Sequence, residues 1–314
     1  MDAVRVLAPA KINPRLEVLG RRADGYHELA TFLVAVEPCD EIRIFRTTRG
    51  AVRLLLSGEH ASADVPADTR NLAARAAELV LEHARKQARV RADTGLDVHV
   101  AKRIPSQSGL GGASSDAAAA WLAACTILDV AMSPDERDAQ LATLGSDVVF
   151  FARAADTGAA WCTGRGEIVA PARAPTHWSI VLITPRVASP TAAVYAQLGF
   201  HLRAAPPVST VRRTDWFSTE AHAARALLGN DLEPAAFTAV PELVAWRDLF
   251  DALGASHFRL SGSGSSFFGL YEGEAAARQD LARIAAAARD RRMESRFSGS
   301  VRPTGHGVRI CPLD

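Results

Sequence analysis

Apolar and polar residues alternate along the first sixty positions, a pattern typical of strands that bury one face in a core. The alternating segments are VRVLA, RLEVL, LATFLVAVE, DEIRIFRTT and AVRLLLSG. RRADG and EPCD interrupt the alternation, and both are predicted to form turns. The chain is therefore predicted to begin as β structure.

The period changes to that of a helix at Asn71, a residue suited to cap a helix N-terminus. This helix is predicted over 71–92. The segment LDVHVAKRIP is predicted to be a strand, and a second helix follows it from about 113 to 130. A third helix is predicted over about 134–144, with Ser133 as its cap and a proline in its first turn.

The second half mixes strand and helix patterns without strict alternation, which favours an α+β fold over a doubly wound sheet. Strands are predicted in AAWCTGRGEIVAPA, HWSIVLITP and FRLSGSGSSFFGLYEG. Helices are predicted in SPTAAVYAQL, STEAHAARALL and EAAARQDLARIAAAARDRR. The segment LRAAPPVSTVRRTD, residues 202–215, is predicted to be a mobile loop.

A chain of 314 residues is long for one hydrophobic core, so we expect two domains, 1–156 and 157–314. Hydrophobic residues make up 48% of the chain and charged residues 23%, with a formal net charge of +1. This balance gives no reason to expect a nucleic-acid or membrane partner. Any affinity for an anion must come from a local site.

The four cysteines are far apart and form no closely spaced pair, which indicates reduced thiols rather than a disulfide framework or a zinc site. The N-terminal segment lacks the pattern of a signal peptide, and no apolar run approaches the roughly 20 residues that span a bilayer. A cytoplasmic protein is therefore expected, as a monomer or a homodimer.

The segment KRIPSQSGLGGASSDAA places three glycines directly before a run of strong helix formers. Each glycine costs about 1 kcal/mol relative to alanine in a regular element, so a compensating role is expected. A helix start leaves four backbone N–H groups unpaired and carries about half a positive charge. Since Ser114 and Ser115 add hydroxyl donors, the segment predicts a phosphate-binding loop. The same glycines would also serve a turn that only packs a strand close to a helix.

Two familiar phosphate loops are excluded. A Walker A loop requires lysine and then serine or threonine after its last glycine, whereas Ala113 and Ser114 stand here. A dinucleotide-binding fold would place the turn after the first strand of a parallel unit. This turn instead follows about a hundred residues of mostly β pattern.

Three segments in order, PAKIN at 9–13, SGLGGASSDAA at 108–118 and SGSGSS at 261–266, resemble the three motifs of the GHMP kinases. Members of that superfamily phosphorylate small alcohols and acids with ATP. The resemblance implies a ribosomal-S5-like N-terminal domain and a ferredoxin-like C-terminal domain, with the active site in the cleft between them. It also implies Mg²⁺ as a cofactor beside ATP, with Ser115 as the expected protein contact. The implied ATP-binding residues are Pro105, Ser106, Gln107, Ser108, Gly109, Leu110, Gly111, Gly112, Ala113, Ser114 and Ser115.

The catalytic lysine and aspartate of the superfamily correspond to Lys11 and Asp147. In this interpretation Asp147 orients the acceptor hydroxyl and receives its proton, while Lys11 holds that carboxylate and offsets negative charge. Without the motifs around them, Lys11 would be read as a surface lysine and Asp147 as an ordinary turn residue.

Three further segments, GRRADGYHEL, LGSDVVFF and GRGE, resemble the branch that phosphorylates the 2-hydroxyl of a cytidine diphosphate-linked methylerythritol, in the non-mevalonate route to isoprenoid precursors. The resemblance implies that Tyr26 stacks on the cytosine and that His27 hydrogen-bonds its edge. Tyr195 corresponds to a second aromatic residue that closes the sandwich, and Asn13 to an asparagine near the methylerythritol hydroxyls. The loop of Gly262, Ser263 and Gly264 would cover the diphosphate.

Interpretations of the same residues that involve no ligand, or a different substrate, stay open. His27 and Tyr195 would equally suit core packing, and the 262–264 loop a hairpin without a ligand. Another GHMP kinase, acting on homoserine, mevalonate or a sugar, would keep the glycine loop but lack DGYH. A catalytically silent member would lose Lys11 or Asp147. The chain departs from the branch pattern at Pro14, Ala113 and Val149.

Overall fold

The computed structural model describes residues 3–62, 64–199 and 215–313. Its strands, in chain order, are β1 Ala3–Arg21, β2 His27–Thr47, β3 Val52–Ser57, β4 Gly95–Ala101, β5 Gly158–Gly164, β6 Ile168–Arg173, β7 Ser179–Pro185, β8 Gly229–Asn230, β9 Arg259–Leu260, β10 Phe267–Tyr271, β11 Ser295–Val301 and β12 Arg309–Cys311. Its helices are α1 Leu72–Lys86, α2 Gly112–Leu128, α3 Pro134–Leu144, α4 Ser146–Arg153, α5 Thr191–Ala196, α6 Ala221–Arg225, α7 Glu233–Ala239, α8 Glu242–Ala252 and α9 Glu274–Asp290. The predicted α+β class is confirmed.

One long antiparallel hairpin, β1 with β2, forms the centre of the larger sheet. Its turn contains the predicted RRADG segment, which is confirmed as a turn. The second predicted turn, EPCD, is wrong because β2 continues through it. The register with β1 changes between Pro9, which pairs with Cys39, and Ala10, which pairs with Val36. The two extra residues of β2 are accommodated as a bulge, so the strand stays paired on both sides of them.

The larger sheet has the strand order β12-β1-β2-β4-β3, with β5 paired to β2, β6 to β5 and β8 to β1. Helices α1 and α2 pack on each other, and α2 also packs on the central hairpin. Helix α2 is rich in alanine, and most of its residues are buried. Small side chains let its backbone approach the sheet closely, which fixes the start of α2 relative to β1.

The predicted helix starts agree closely with the structure where side chains cap them. Asn71 caps α1, its side chain accepting from Ala73 N–H at 2.9 Å. Ser133 caps α3 through a reciprocal pair of hydrogen bonds with Glu136, and a proline follows it in the first turn. These contacts lie within four residues, which is why sequence alone located them.

The smaller sheet has the order β11-β7-β10-β9, and β7 and β10 are buried along their whole length. Helices α7, α8 and α9 contribute to the apolar cluster on this side of the molecule. The strands predicted around the 261–266 loop and in HWSIVLITP are confirmed. Strand β11, which pairs with β7, was not predicted from its sequence.

The larger sheet takes strands from both ends of the chain. β5 and β6 lie beyond residue 157, and β12 returns near the C-terminus to pair with β1. The division into 1–156 and 157–314 therefore stays a prediction. The predicted loop at 202–215 lies outside the described residues except for Asp215. Within the described ranges, no helix has the length and apolar character needed to cross a bilayer.

Candidate active site

A cleft of about 1170 Å³ lies where the two glycine loops, the hairpin turn and the start of α4 meet. Most of the predicted site residues line it. They are Lys11, Asn13, Tyr26, His27, Pro105, Ser106, Gln107, Ser108, Gly109, Gly111, Gly112, Ala113, Ser114, Asp147, Tyr195, Gly262 and Ser263. The other three, Leu110, Ser115 and Gly264, are buried beneath its surface. The structure thus gathers residues from both halves of the chain around one space.

Lys11 is a buried lysine at the floor of this cleft, on β1. Its Nζ donates a hydrogen bond to Asn13 Oδ1 at 2.7 Å and lies 3.8 Å from Asp147 Oδ2. Burial lowers the pKa of the Lys11 ammonium below 10.5, and the Asp147 carboxylate opposes that shift. Lys11 is therefore a desolvated cation held beside an anion, not a surface lysine.

Asp147 stands in the first turn of α4, directly after Gly145 and Ser146. Carboxylates are favoured at this end of a helix by its unpaired N–H groups and its dipole. The Asp147 side chain is 37% exposed, whereas that of Lys11 is 5% exposed. The carboxylate thus faces the open cleft while the lysine supports it from within.

Asn13 and Ser261 fix Lys11 from the protein side. Asn13 Nδ2 donates to Thr31 Oγ1 at 2.9 Å, which orients the Asn13 carbonyl toward the ammonium. Ser261 Oγ lies 3.4 Å from Asn13 Oδ1 and 3.0 Å from the carbonyl oxygen of Gly109. The side-chain oxygen and nitrogen of Asn13 therefore both form hydrogen bonds within the protein. Its predicted contact with the substrate hydroxyls stays a prediction.

The three glycines of the first loop each permit a close approach by the protein itself. A methyl on Gly109 would lie 2.1 Å from the carbonyl oxygen of Ser261, and one on Gly111 would lie 3.0 Å from Lys11 Cγ. Both glycines have positive φ, 75° and 71°. A methyl on Gly112 would lie 3.0 Å from Ile104 Cγ2. Packing between elements therefore accounts for these glycines, while their N–H groups still border the cleft at the start of α2.

The two glycine loops are joined by main-chain and side-chain hydrogen bonds. Ser266 N–H donates to the carbonyl of Ser108 at 3.0 Å, and Ser261 Oγ donates to Gly109 as described. A third bond runs from Ser189 N–H to the carbonyl of Gln107 at 3.2 Å. The loops from the two halves of the chain are thus one connected wall.

Tyr26 and Tyr195, which were expected on the two faces of a cytosine, each contact another side chain in the structure. Tyr26 is 55% exposed, and the Arg165 guanidinium lies over its ring, 4.6 Å from the centroid. Tyr195 contacts His27 instead, with ring centroids 5.1 Å apart and an interplanar angle of 36°. Burial and the nearby Arg21 lower the pKa of His27, which favours the neutral form of its ring. Burial and the Asp147 carboxylate raise the pKa of Tyr195.

Several cleft residues escaped the sequence analysis. One wall is formed by Asp64, Val65, Pro66, Arg70, Asn71 and Leu72, of which only Asn71 was singled out, as a helix cap. Arg165 was quoted as part of GRGE without a role. These residues carry no local signal for a site, because only the tertiary fold brings them to the cleft.

Lys102 is a second buried lysine that the sequence did not reveal as special. Its ammonium lies between Asp40 and Asp116, 2.6 Å from Asp116 Oδ2 and paired with Asp40 Oδ2. Asp40 Oδ1 also accepts from Ile104 N–H at 2.8 Å. This cluster of two carboxylates and one ammonium joins the end of β4 to the second turn of α2. It therefore anchors the strand and helix that flank the glycine loop.

The donor atoms near the first turn of α2 suit a hard divalent cation with oxygen ligands. Ser115 Oγ and Asp116 Oδ1 are buried without a hydrogen-bond partner in the structure. Across the described ranges no group of three or more His, Cys, Asp or Glu residues could hold a metal. Ser115 Oγ is one of these two oxygens, and its contact with Mg²⁺ stays a prediction.

Comparison with known proteins agrees with this geometry. Residues 71–155 match the GHMP kinases N terminal domain, and residues 211–290 match the GHMP kinases C terminal domain. A solved homoserine kinase from Cytophaga hutchinsonii, 18% identical, aligns with a TM-score of 0.69 over 99% of this chain and 98% of its own, a likeness in fold. The fold and the site define a GHMP kinase, as predicted.

Two relatives are more similar. The 4-diphosphocytidyl-2-C-methyl-D-erythritol kinase of Citrifermentans bemidjiense is 36% identical over 289 residues, covering 91% of this chain and 96% of the relative. A solved 4-(cytidine 5'-diphospho)-2C-methyl-D-erythritol kinase is 32% identical, with a TM-score of 0.70, covering 95% of this chain and 99% of that one. The chain belongs to the family of 4-diphosphocytidyl-2-C-methyl-D-erythritol kinases.

Proposed function

We propose that this protein transfers the γ-phosphoryl group of ATP to the 2-hydroxyl of 4-diphosphocytidyl-2-C-methyl-D-erythritol. The observation that carries the proposal is the pairing of Lys11 with Asp147, 3.8 Å apart, inside one cleft with the glycine loop and the Tyr26–His27 segment. The family to which the chain belongs supports the same reaction. The free thiols at all four cysteines are compatible with the cytoplasm, where we place it.

The donor end is the start of α2. Unpaired N–H groups there, with the hydroxyl of Ser114, would hold the phosphates of ATP. The wall around Val65 and Pro66 also lines the cleft and would receive the adenine. When bound, Mg²⁺ neutralises charge on the phosphates, and Ser115 would be its contact with the protein.

Asp147 would orient the acceptor hydroxyl and take its proton late in the transfer. Complete deprotonation before attack would be strongly uphill, because an aliphatic hydroxyl is a far weaker acid than a carboxylic acid. Phosphoryl transfer usually has a loose transition state, so the attacking oxygen need not be an alkoxide at the outset. The exposed position of Asp147 beside the cleft suits a group that touches the acceptor.

Lys11 would act from the opposite side of the carboxylate. Its buried ammonium holds Asp147 in place and offsets charge that builds up on the transferring phosphoryl group and the attacking oxygen. A cation in a desolvated site acts more strongly than one in water. The hydrogen bonds of Asn13 keep the ammonium from turning away.

The acceptor end is the hairpin turn. Tyr26 offers an exposed ring, and a base stacked on an aromatic side chain contributes about 1–3 kcal/mol. A neutral His27 ring can hydrogen-bond the edge of cytosine, and Tyr195 lies against it. The 262–263 loop borders the space between these rings and Asp147, where the diphosphate would pass.

The proposed function is tested by following ATP consumption with four acceptors in parallel: 4-diphosphocytidyl-2-C-methyl-D-erythritol, homoserine, mevalonate and a hexose. We expect turnover with the first acceptor only, and loss of that turnover in Asp147→Asn. Turnover with homoserine, mevalonate or the hexose and none with the cytidine-linked compound would contradict the proposed substrate. Binding of the cytidine-linked compound without any ATP consumption would contradict the catalytic role.

A further inference from the structure

The turn between β5 and β6, residues 164–167, is held rigidly against the start of β2. Gly164 N–H donates to Glu28 Oε1 at 3.2 Å, and Arg165 N–H donates to Glu167 Oε2 at 2.6 Å. Gly164 and Gly166 have positive φ, 73° and 111°, which turns the chain sharply on both sides of Arg165. Of the two side chains in this turn, those of Arg165 and Glu167, the Arg165 side chain lines the cleft.

That side chain lies on Tyr26. The Arg165 guanidinium carbon is 4.6 Å from the centre of the Tyr26 ring, and both residues line the cleft. The Glu167 carboxylate is 3.8 Å from Arg165 Nε, an ion pair without a hydrogen bond. In the hairpin turn, Arg22 bonds both Asp24 and Glu28, and the Arg165 charge also acts on Asp24. With these carboxylates nearby, the guanidinium still lies over the Tyr26 ring, where it makes a cation–π contact.

We propose that Arg165 is a positioning residue for the substrate's base: it covers one face of Tyr26 and fixes the ring so that the other face is ready to stack on cytosine. The inference rests on the proposed function. A largely exposed ring at a hairpin turn otherwise loses rotamer freedom when the base binds, and fixing it in advance removes that cost. A guanidinium over an aromatic face is a favourable contact that supplies this restraint.

The inference predicts a specific kinetic signature for Arg165→Met, which keeps an apolar stem but removes the guanidinium. The KM for the cytidine-linked substrate should rise about tenfold, which corresponds to about 1.4 kcal/mol. The kcat and the KM for ATP should stay within about twofold of the original. Arg165→Lys, which keeps a cation near the ring, should recover most of the loss.

The chain contains a matched control. Arg173 lies over the ring of Phe217 at 4.1 Å, and neither residue lines the cleft. Arg173→Met removes the same kind of contact at a place where no substrate is expected. It should leave all three kinetic constants unchanged, and the thermal midpoints of both methionine variants establish that they are folded.

Binding of cytidine and of CDP, measured by calorimetry, distinguishes positioning from direct contact with the diphosphate. If Arg165 positions Tyr26, Arg165→Met weakens both ligands by the same factor. Weakening of CDP alone would overturn the inference, because the guanidinium would then be a diphosphate ligand. An unchanged KM in a folded Arg165→Met would overturn it as well. Failure of the proposed function is a separate result, because the original protein itself would then neither bind CDP nor phosphorylate the cytidine-linked compound.

Discussion

Lys11 Nζ lies 3.8 Å from Asp147 Oδ2, although the two residues are 136 positions apart in the sequence and one is buried while the other is open to the cleft. Strand β1 supplies the cation and the first turn of α4 supplies the anion. The tertiary fold therefore brings this pair together. Because the lysine is buried and the aspartate faces the cleft, the carboxylate is available to a ligand.

The first prediction concerns that carboxylate. Asp147→Asn keeps the size of the side chain but removes its ability to accept a proton, so kcat should fall about 10²–10⁴-fold. The thermal midpoint and the affinity for ATP should remain close to the original. Asp156→Asn, a change at an exposed aspartate outside the cleft, serves as the control and should retain full activity. Nearly full turnover in Asp147→Asn would remove the proton acceptor from the mechanism.

The second prediction is a pH dependence. Burial lowers the pKa of Lys11 below 10.5, so the ammonium loses its proton at a lower pH than an exposed lysine. The alkaline limb of kcat/KM is therefore expected below pH 10.5, because the active form carries the charged lysine. Since Asp147 opposes the shift, the limb of the residual activity in Asp147→Asn should move lower still. A limb that stays in place in this variant would show that another group controls it.

The third prediction tests the joined glycine loops. Gly109→Ala would bring a methyl to 2.1 Å from the carbonyl oxygen of Ser261, so backbone must move. Gly254→Ala is the matched control, because Gly254 also has a positive φ, 67°, but a methyl there meets nothing within 4 Å. Urea unfolding should show a loss of about 1–2 kcal/mol for the control, from backbone strain alone. The loss for Gly109→Ala should be clearly larger; equal losses would mean that the loops separate without cost.

The fourth prediction concerns the buried cluster at Lys102. Burial lowers the pKa of this lysine, but Asp116 and Asp40 outweigh burial and raise it to about 12. Its contribution to stability is therefore complete below pH 10.5 and lost as the pH rises through about 12. Lys102→Met leaves two buried carboxylates without their cation and should lower the free energy of unfolding by about 3–5 kcal/mol at pH 7.

Asp116→Asn is the control for that cluster. Burial raises the pKa of Asp116 well above its ordinary value, and the neighbouring Lys102 opposes that shift. The amide leaves a balanced pair of Lys102 and Asp40, and urea unfolding should show a smaller loss than for Lys102→Met. A larger loss would reverse the assignment of the lysine as the member that stabilises the cluster.

How far the sequence predicted this protein depends on the range of the contacts involved. The cap of α3 is formed within four residues, and both ends of that helix were predicted correctly. The turn expected at EPCD was wrong, because pairing with a distant part of β1 keeps β2 extended through a proline. Strand β12 was missed for the same reason, since it exists only by pairing with β1.

The same distinction applies to the site. Lys11 and Asp147 were found because their surrounding segments resemble known motifs, and the structure brings them together. Lys102 gave no signal, because its two partners come from β2 and α2. Arg165 was quoted within GRGE but was given no role. Its contact with Tyr26 links two turns that are far apart in the chain. Residues whose role depends on a distant partner could not be recognised from local pattern.

The bonds between the two glycine loops also constrain how ligands enter and leave. Ser108 and Gly109, from one half of the chain, are hydrogen-bonded to Ser266 and Ser261 of the other, and these bonds oppose separation of the two halves at this wall. Ligands must then enter and leave at the open edges of the cleft, the acceptor at the hairpin turn around Tyr26 and the nucleotide at the wall around Val65 and Pro66. The two hydrogen-bonded glycine loops are therefore expected to stay in place during turnover, while substrates and products pass the outer edge of the cleft.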